Sequence, residues 1–296
     1  MTGKSRAEAI LLGITVIWST TFALSKVVLL EITPLQMISF RFTLATVLLL
    51  VLFFRTIFPL RLDQALKGAL LGLFLFLGFV VQTIGLTITS ASKSAFITGM
   101  VVVFVPLLQI IVERRPPKVG NLLGVLVVSA GLWFMTSPAE SSFNTGDALT
   151  LVCAVLFAGY IVYLDVIARD MSAVQLTFLQ VGTNALLSFG AMSVFESSPL
   201  RLSPANALAL VYLALFATVL TTFMQTKHQK ETTPTRAAVI FTMEPVFASI
   251  IAAIALGEQL GFLGILGGGL IISGVLISEL SDAIPILNKS FGFTNS

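Results

Sequence analysis

The amino-acid sequence predicts an all-α polytopic membrane protein of ten transmembrane helices, built as two inverted five-helix repeats. Three observations predict it. Hydrophobic residues make up 56% of the chain and charged residues only 10%, where a soluble domain carries about 25% charge. Apolar runs long enough to span a bilayer follow one another with short connections. Polar residues also fall into register when the chain is shifted against itself.

The spans are read from apolar runs bounded by turn residues and charges. They fall at Ala7–Leu30, Pro34–Phe54, Ala65–Thr87, Ser92–Val112, Val119–Met135, Asp147–Ala168, Ala173–Phe195, Pro204–Gln225, Thr235–Leu256 and Gly261–Leu280. At roughly 20 residues per crossing they use most of the chain, so no water-soluble catalytic domain fits. Pro34, Pro59, Pro138, Pro199, Pro204 and Pro234 lie at or near span ends, where a missing N–H costs least. Ser281–Ser296 is polar enough for a cytoplasmic tail.

Charge orients the helices. Lys4, Arg6, Arg55, Arg61, Lys67, Arg114, Arg115, Lys118, Arg169, Lys227, Lys230 and Lys289 share the side that holds both termini. The opposite loops carry Glu31, Glu140, Glu196 and Glu258, with Arg201 and Lys93 as their cations. Basic loops stay cytoplasmic, so both termini are expected inside a cell inner membrane. The pI of 9.2 and net charge of +3 reflect this orientation rather than a nucleic-acid partner. Cys153 is the single cysteine and lies within a span, so no intrachain disulfide or multi-cysteine metal site is expected.

A shift of 143 residues places Gln82 on Gln225, Lys93 on Arg236 and Ala95 on Ala238. It also places Val103-Phe104 on Val246-Phe247, Gly124 on Gly267 and Gly131 on Gly274. Earlier in each half a shift of 139 serves better, with Val27 on Val166 and Gln36 on Gln175. The repeats are expected at 7–137 and 146–280. Five is an odd number, so the second copy enters from the opposite face. Inverted repeats of this kind surround a midplane site in many secondary transporters.

Several motifs carry a family resemblance. Trp18-Ser-Thr-Thr-Phe-Ala-Leu-Ser-Lys26, Pro34 and Ser39-Phe-Arg41-Phe open the chain. Gln82-Thr-Ile-Gly-Leu, Thr89-Ser-Ala-Ser-Lys93-Ser-Ala-Phe and Phe104-Val-Pro106 follow. The second half has Thr233-Pro-Thr-Arg236-Ala-Ala, Glu244-Pro-Val-Phe247 and Leu256-Gly-Glu258. Together these resemble the EamA family of the drug/metabolite transporter superfamily over roughly residues 7–280. The resemblance implies two EamA units with a central cavity lined by the first four helices of each. The fifth and tenth helices would then lie at the periphery. Only Val101 and Glu113 answer, loosely, to Glu244 and Glu258 in the first half.

An ionisable residue within the membrane is read as functional, with a partner named. Glu244 lies near mid-span of the ninth helix and Arg41 within the second, at depths that long side chains bridge. Glu244 either takes up a proton or meets a cationic substrate group, or it forms a structural ion pair with Arg41. Pro245 and Pro106 invite kinks that expose backbone to a cavity. Lys93 and Arg236, like Lys26, either anchor helix ends by snorkelling or face a cavity mouth. Trp18 and Tyr160, at mid-depth, suit a cavity wall or an internal hydrogen bond, and Gln82 and Gln225 are uncharged candidates. Asp165, one turn from a cytoplasmic end, is expected to be solvated. Gly120 and Gly124, with Gly264 and Gly268, have spacing for close helix approach, within the chain or in a homodimer.

The expected function is a secondary transporter, exporting or importing a small polar metabolite such as an amino acid. Other substrate classes in view are a nucleobase, a sugar phosphate or an organic cation. No phosphate-binding Gly-rich loop, HExxH or GxSxG motif occurs, so ATP hydrolysis, zinc chemistry and a serine nucleophile are not expected. His228, the single histidine, is placed in a basic loop. No cofactor is expected. Lipid scrambling or a channel is the competing class, and isolated charges without a continuous polar stripe argue against it.

Overall fold

The computed structural model describes residues 3–114, 116–136, 143–197, 199, 201–256, 261–281, 284 and 287. Arg115, Pro138, Glu140, Glu258, Lys289 and most of the predicted tail lie outside the described residues. All regular structure among the described residues is helical: α1 (Gly3–Val28), α2 (Pro34–Ile57), α3 (Leu62–Ile88), α4 (Ala91–Gly99), α5 (Val101–Glu113), α6 (Val119–Thr136), α7 (Thr145–Ile167) and α8 (Ala173–Phe195). Then come α9 (Pro204–Ala214), a π-helical turn (Leu215–Leu220), α10 (Thr221–His228), a short 3-10 turn, α11 (Pro234–Phe241), α12 (Met243–Leu256) and α13 (Phe262–Leu280).

Local chemistry sets the starts. Thr33 and Gln36 form a capping box at the head of α2, with Pro34 in its first turn. Asn144 and Asp147 form a second at α7, and Ser90, Ser203 and Thr233 cap α4, α9 and α11 through their side chains. Each cap satisfies an amide with no partner inside its helix. Pro204 and Pro234 sit in first turns as well, where the ring's fixed φ suits a helix start.

Seven helical stretches are long and apolar enough to cross a membrane, counting Ala91–Glu113 and Pro204–Glu231 as continuous. Two shorter apolar helices, 119–134 and 262–278, accompany them. Outer faces carry Val51, Leu186, Phe195, Leu208 and Phe262, each at least 70% exposed. A water-facing surface would not tolerate that density of large apolar side chains, whereas lipid does.

Two of the expected kinks are breaks between separate helices. The fourth apolar stretch breaks at Met100, between α4 and α5, and the stretch holding α11 and α12 breaks at Thr242. The first break falls six residues before Pro106 and the second three before Pro245. Pro245 lacks the N–H that would bond Phe241, the last residue of α11, so the ladder stops there. Pro106 lies inside α5. Arg114 ends α5 in the left-handed region at φ 53°, a position where a helix commonly terminates.

α3 packs on α7 and α8, α2 on α8, α5 on α7 and α11, and α1 on α10, α11 and α12. α6 pairs with α13 at one side of the bundle. A Cβ on Gly124 would lie 2.8 Å from the Gly274 carbonyl oxygen, and one on Gly131 would lie 2.7 Å from that of Gly267. The backbones therefore touch, as small residues permit. Gly120 faces Ser281, but Gly268 faces open space, so the close approach uses Gly267 and Gly274 rather than the expected Gly264–Gly268 ridge.

Candidate functional site

The breaks in α4–α5 and α11–α12, with α1, α2, α3, α7 and the π turn, line a partly open cavity. Aromatic side chains form much of its apolar wall: Trp18, Phe22, Phe42, Phe79, Phe157 and Phe241. Threonines 21, 98, 218 and 222 and the amides of Gln82 and Gln225 add polar points, and Arg41 and Glu244 are its two charged residues. An apolar enclosure with a few placed polar groups is the usual form of a small-molecule site.

Arg41 is 3% exposed. Its Nε donates to Thr218 Oγ1 at 2.7 Å and its Nη2 to the Ala217 carbonyl at 2.9 Å. Both acceptors lie in the π turn, where widening to i→i+5 bonding displaces carbonyls from ordinary α partners. Thr218 Oγ1 in turn donates to the Leu213 carbonyl at 2.9 Å. The guanidinium carbon stands 4.8 Å from the Phe79 ring centroid and 5.5 Å from that of Phe42, within cation–π range. The cation is thus held by neutral acceptors and ring faces.

Glu244 occupies the first turn of α12, immediately after the break. No residue among those described makes a hydrogen bond or ion pair to its carboxylate. The ion pair between Arg41 and Glu244, one of the two sequence readings, is therefore not formed. A half-buried carboxylate facing a cavity without a hydrogen-bond partner among the described residues is costly to maintain, which makes Glu244 a candidate for a functional role.

Six of the eight sequence candidates, Trp18, Arg41, Gln82, Tyr160, Gln225 and Glu244, line this cavity. Tyr160 donates to Gln180 Oε1 at 2.6 Å, and Gln180 Nε2 donates to Thr226 Oγ1 at 2.9 Å, fixing the ring from behind. Trp18 meets Phe241 edge to face at 5.2 Å. Gln82 donates to Thr98 at 3.2 Å and Gln225 to Gln229 at 2.9 Å.

Lys93 and Arg236 are not in the cavity wall, and neither is a lone snorkelling cation. Lys93 Nζ lies 2.6 Å from Asp147 Oδ2, and Arg236 Nε lies 2.8 Å from Glu8 Oε1. Lys26 donates to the carbonyls of Leu86 and Thr89 at 2.6 and 2.7 Å. Asp165 is 5% exposed and pairs with Arg169 at 3.3 Å, contrary to the expected solvation, because neighbouring helices cover its turn. His228 ends α10 rather than occupying a loop, and its Nδ1 meets Glu231 at 2.9 Å.

Sequence reasoning missed three features. The π turn has no motif that announces it. Phe79 and Phe157 are indistinguishable from lipid-facing aromatics until packed. Glu8 and Asp147 did carry a signal: the shift of 139 that aligns Gln36 with Gln175 also places Glu8 on Asp147.

Known proteins fit this architecture. The sequence model of the EamA-like transporter family matches twice, over residues 5–137 and 144–280. An uncharacterized transporter of Archaeoglobus fulgidus is 30% identical over 268 residues, covering 90% of this chain and 83% of the relative. A second from the same organism is 28% identical over 285 residues, covering 93% of this chain and 98% of its own length. The Bacillus subtilis uncharacterized transporter YyaM is 25% identical over 292 residues, with 94% and 95% covered. One solved crystal structure superposes with a TM-score of 0.78 at 17% identity, over 94% of this chain and 97% of that one. At that identity the likeness speaks for the fold.

Proposed function

We propose, starting from the fact that the chain belongs to the EamA-like transporter family, that it is a secondary carrier of small polar metabolites. Amino acids and related amines are the favoured class, and net export the favoured direction. The single observation that carries this reading is the cavity itself. It sets a carboxylate without a protein partner, Glu244, in the same enclosure as a guanidinium held by neutral acceptors, Arg41. A solute with a protonated amine meets Glu244, its carboxylate meets Arg41, and the aromatic wall receives an apolar body. Trp18, Gln82, Tyr160 and Gln225 set its position.

The architecture proposed is ten spans in two inverted units, 7–137 and 146–280, with α4–α5, α9–α10 and α11–α12 each counted as one span. Packing supports it. Exchanging the units by the 143-residue shift turns the Gly124–Gly274 contact into Gly267–Gly131, which is also present. Such a contact pair is what a two-fold relation requires. The site then lies at the interface of the units, near mid-bilayer, and reaches either face by alternating access. Both termini are cytoplasmic in an inner membrane by the positive-inside rule.

The test is solute flux into sealed vesicles holding the purified protein, with and without an imposed pH gradient. Thermal-shift hits among amino acids, nucleobases, sugar phosphates and organic cations supply the solutes. Saturable flux of an amine-bearing solute is expected. Non-saturating flux of unrelated ions would make the protein a channel, and saturable flux of anions alone would move the site away from Glu244.

A further inference from the structure

Two ion pairs stand outside the cavity and have no part in holding a solute. Lys93 and Asp147 form the first, 2.6 Å apart, with Asp147 fully buried and Lys93 18% exposed at the side chain. Thr89 Oγ1 donates to Asp147 Oδ1 at 2.7 Å, and Ser90 Oγ accepts the Lys93 amide at 3.2 Å. Arg236 and Glu8 form the second, 2.8 Å apart and exposed by 3% and 8%. Thr232 Oγ1 donates to Glu8 Oε1 at 3.0 Å, and Thr233 Oγ1 accepts the Arg236 amide at 3.3 Å. Lys4 Nζ also lies 4.0 Å from Glu8.

The constellations match residue for residue. Thr89, Ser90 and Lys93 map onto Thr232, Thr233 and Arg236 by the 143-residue shift, and Glu8 maps onto Asp147 by the 139-residue shift. Each pair joins one half of the chain to the other, and they lie at opposite ends of the bundle. Glu8 begins α1, whereas Lys26, near its far end, bonds the Thr89 carbonyl beside the Lys93–Asp147 pair. Glu8 and Lys26 are 18 residues apart, about 27 Å along a helix.

Each pair also grips the head of a short half-helix whose tail is a break. α4 runs 9 residues from Ser90 to the break at Met100, and α11 runs 8 from Thr233 to the break at Thr242. Gly99 and Val101 at the first break, and Phe241 and Glu244 at the second, line the cavity. A cation in the first turn of a helix opposes the helix dipole, so Lys93 and Arg236 are poorly placed unless the acid across the interface answers them. When an acid moves away, its half-helix loses its tether and turns about a break that touches the solute.

We infer that Lys93–Asp147 and Glu8–Arg236 are the two gates of the carrier, one at each face, opened in turn while the other stays closed. This inference rests on the carrier reading above.

The test uses the full chain in membrane vesicles, with Thr222→Cys as a cavity reporter on a Cys153→Ala background and a membrane-impermeant maleimide as the probe. Right-side-out and inverted vesicles present the two faces. The otherwise unaltered reporter protein is expected to label from both. Arg236→Gln is expected to raise labelling from the face bearing the termini by about tenfold relative to the other face. Asp147→Asn is expected to bias labelling equally in the opposite sense. The paired exchange Glu8→Arg with Arg236→Glu, which keeps the charges facing, is expected to restore the parent ratio, separating gate loss from misfolding. Labelling from both faces with an unchanged ratio in every variant would overturn the gates and leave the carrier intact. Labelling of the reporter from one face only, in all forms, would overturn the carrier reading and the gates with it.

Discussion

At the two ends of α1 the halves of the chain repeat each other, and around the cavity they do not. Threonine, a hydroxyl cap, a cation and an acid recur at Thr89, Ser90, Lys93 and Asp147 and at Thr232, Thr233, Arg236 and Glu8. The same shifts set Val101 against Glu244, Thr98 against Phe241, and Arg41 against Gln180. The comparison separates two demands. Motion of one half against the other is best served by equal fastenings at both faces. Recognition of a solute with two unlike ends is best served by walls that differ, since equal walls would not orient it.

That contrast can be broken by making the walls alike. Glu244→Val gives α12 the residue that α5 has at Val101. A desolvated ionic contact worth about 2 kcal/mol or more would be lost, so flux of an amine-bearing solute falls at least about tenfold. Thermal stability of the purified protein is expected to hold or rise, because a carboxylate without a partner has been removed. Undiminished flux would take Glu244 out of the site. Arg41→Gln, which copies Gln180 into α2, removes charge-assisted bonds to the π turn. It is expected to cost about 1.5–3 kcal/mol, read as a lowered melting temperature, together with weaker binding of the solute's acidic end.

Away from the cavity the comparison sharpens through packing. Gly131→Ala forces a Cβ to 2.7 Å from the Gly267 carbonyl oxygen and is expected to destabilise by about 1–3 kcal/mol. Gly268→Ala meets nothing within 4 Å and should stay within about 0.5 kcal/mol of the parent. The smallest effect lies in a connection. The Ser203 amide donates to Glu31 at 2.7 Å, and that bond, with those from the Asn206 and Ser203 side chains, holds the Glu31 carboxyl below its ordinary range. A lowered folded-state pKa stabilises above the unfolded value and is lost as pH falls through the folded one. The parent is therefore expected to lose slightly more thermal stability on acidification than Glu31→Gln does.

Much of the scaffold was readable in the linear chain because lipid imposes length and apolarity on every crossing helix. Ala173–Phe195 was predicted with the bounds observed for α8, and Pro34, Pro204 and Pro234 marked true helix starts. The break at Thr242 was announced by Pro245 but lies in the turn that precedes it, whereas the break at Met100 lies six residues before Pro106, which sits inside α5. Trp18, Arg41, Gln82, Tyr160, Gln225 and Glu244 share one cavity because polar groups inside a span must find an interior. The same logic misread Lys93 and Arg236. A cation near a helix end satisfies the snorkelling pattern whether or not an acid waits across the interface, and only packing brings Asp147 and Glu8 to them. Asp165 was misjudged for the same reason.

The π turn has a further consequence. Up to and into it, Gly68, Leu71, Gly72 and Leu75 of α3 match Leu210, Leu213, Ala214 and Ala217 in burial at a spacing of 142. Beyond it, Gly78, Thr83 and Leu86 match Thr221, Thr226 and Gln229 at 143. One surplus residue has been absorbed by a wider coil, so the faces downstream keep the phase they have in α3. Deleting a single residue from Leu215–Leu220 would tighten the turn to ordinary α-helix and leave the threonines and glutamines of α10 on the faces they now occupy. It would also withdraw the carbonyl on which the buried guanidinium sits. The one residue by which α9 and α10 depart from the register of α3 is thus what seats the pocket's positive pole.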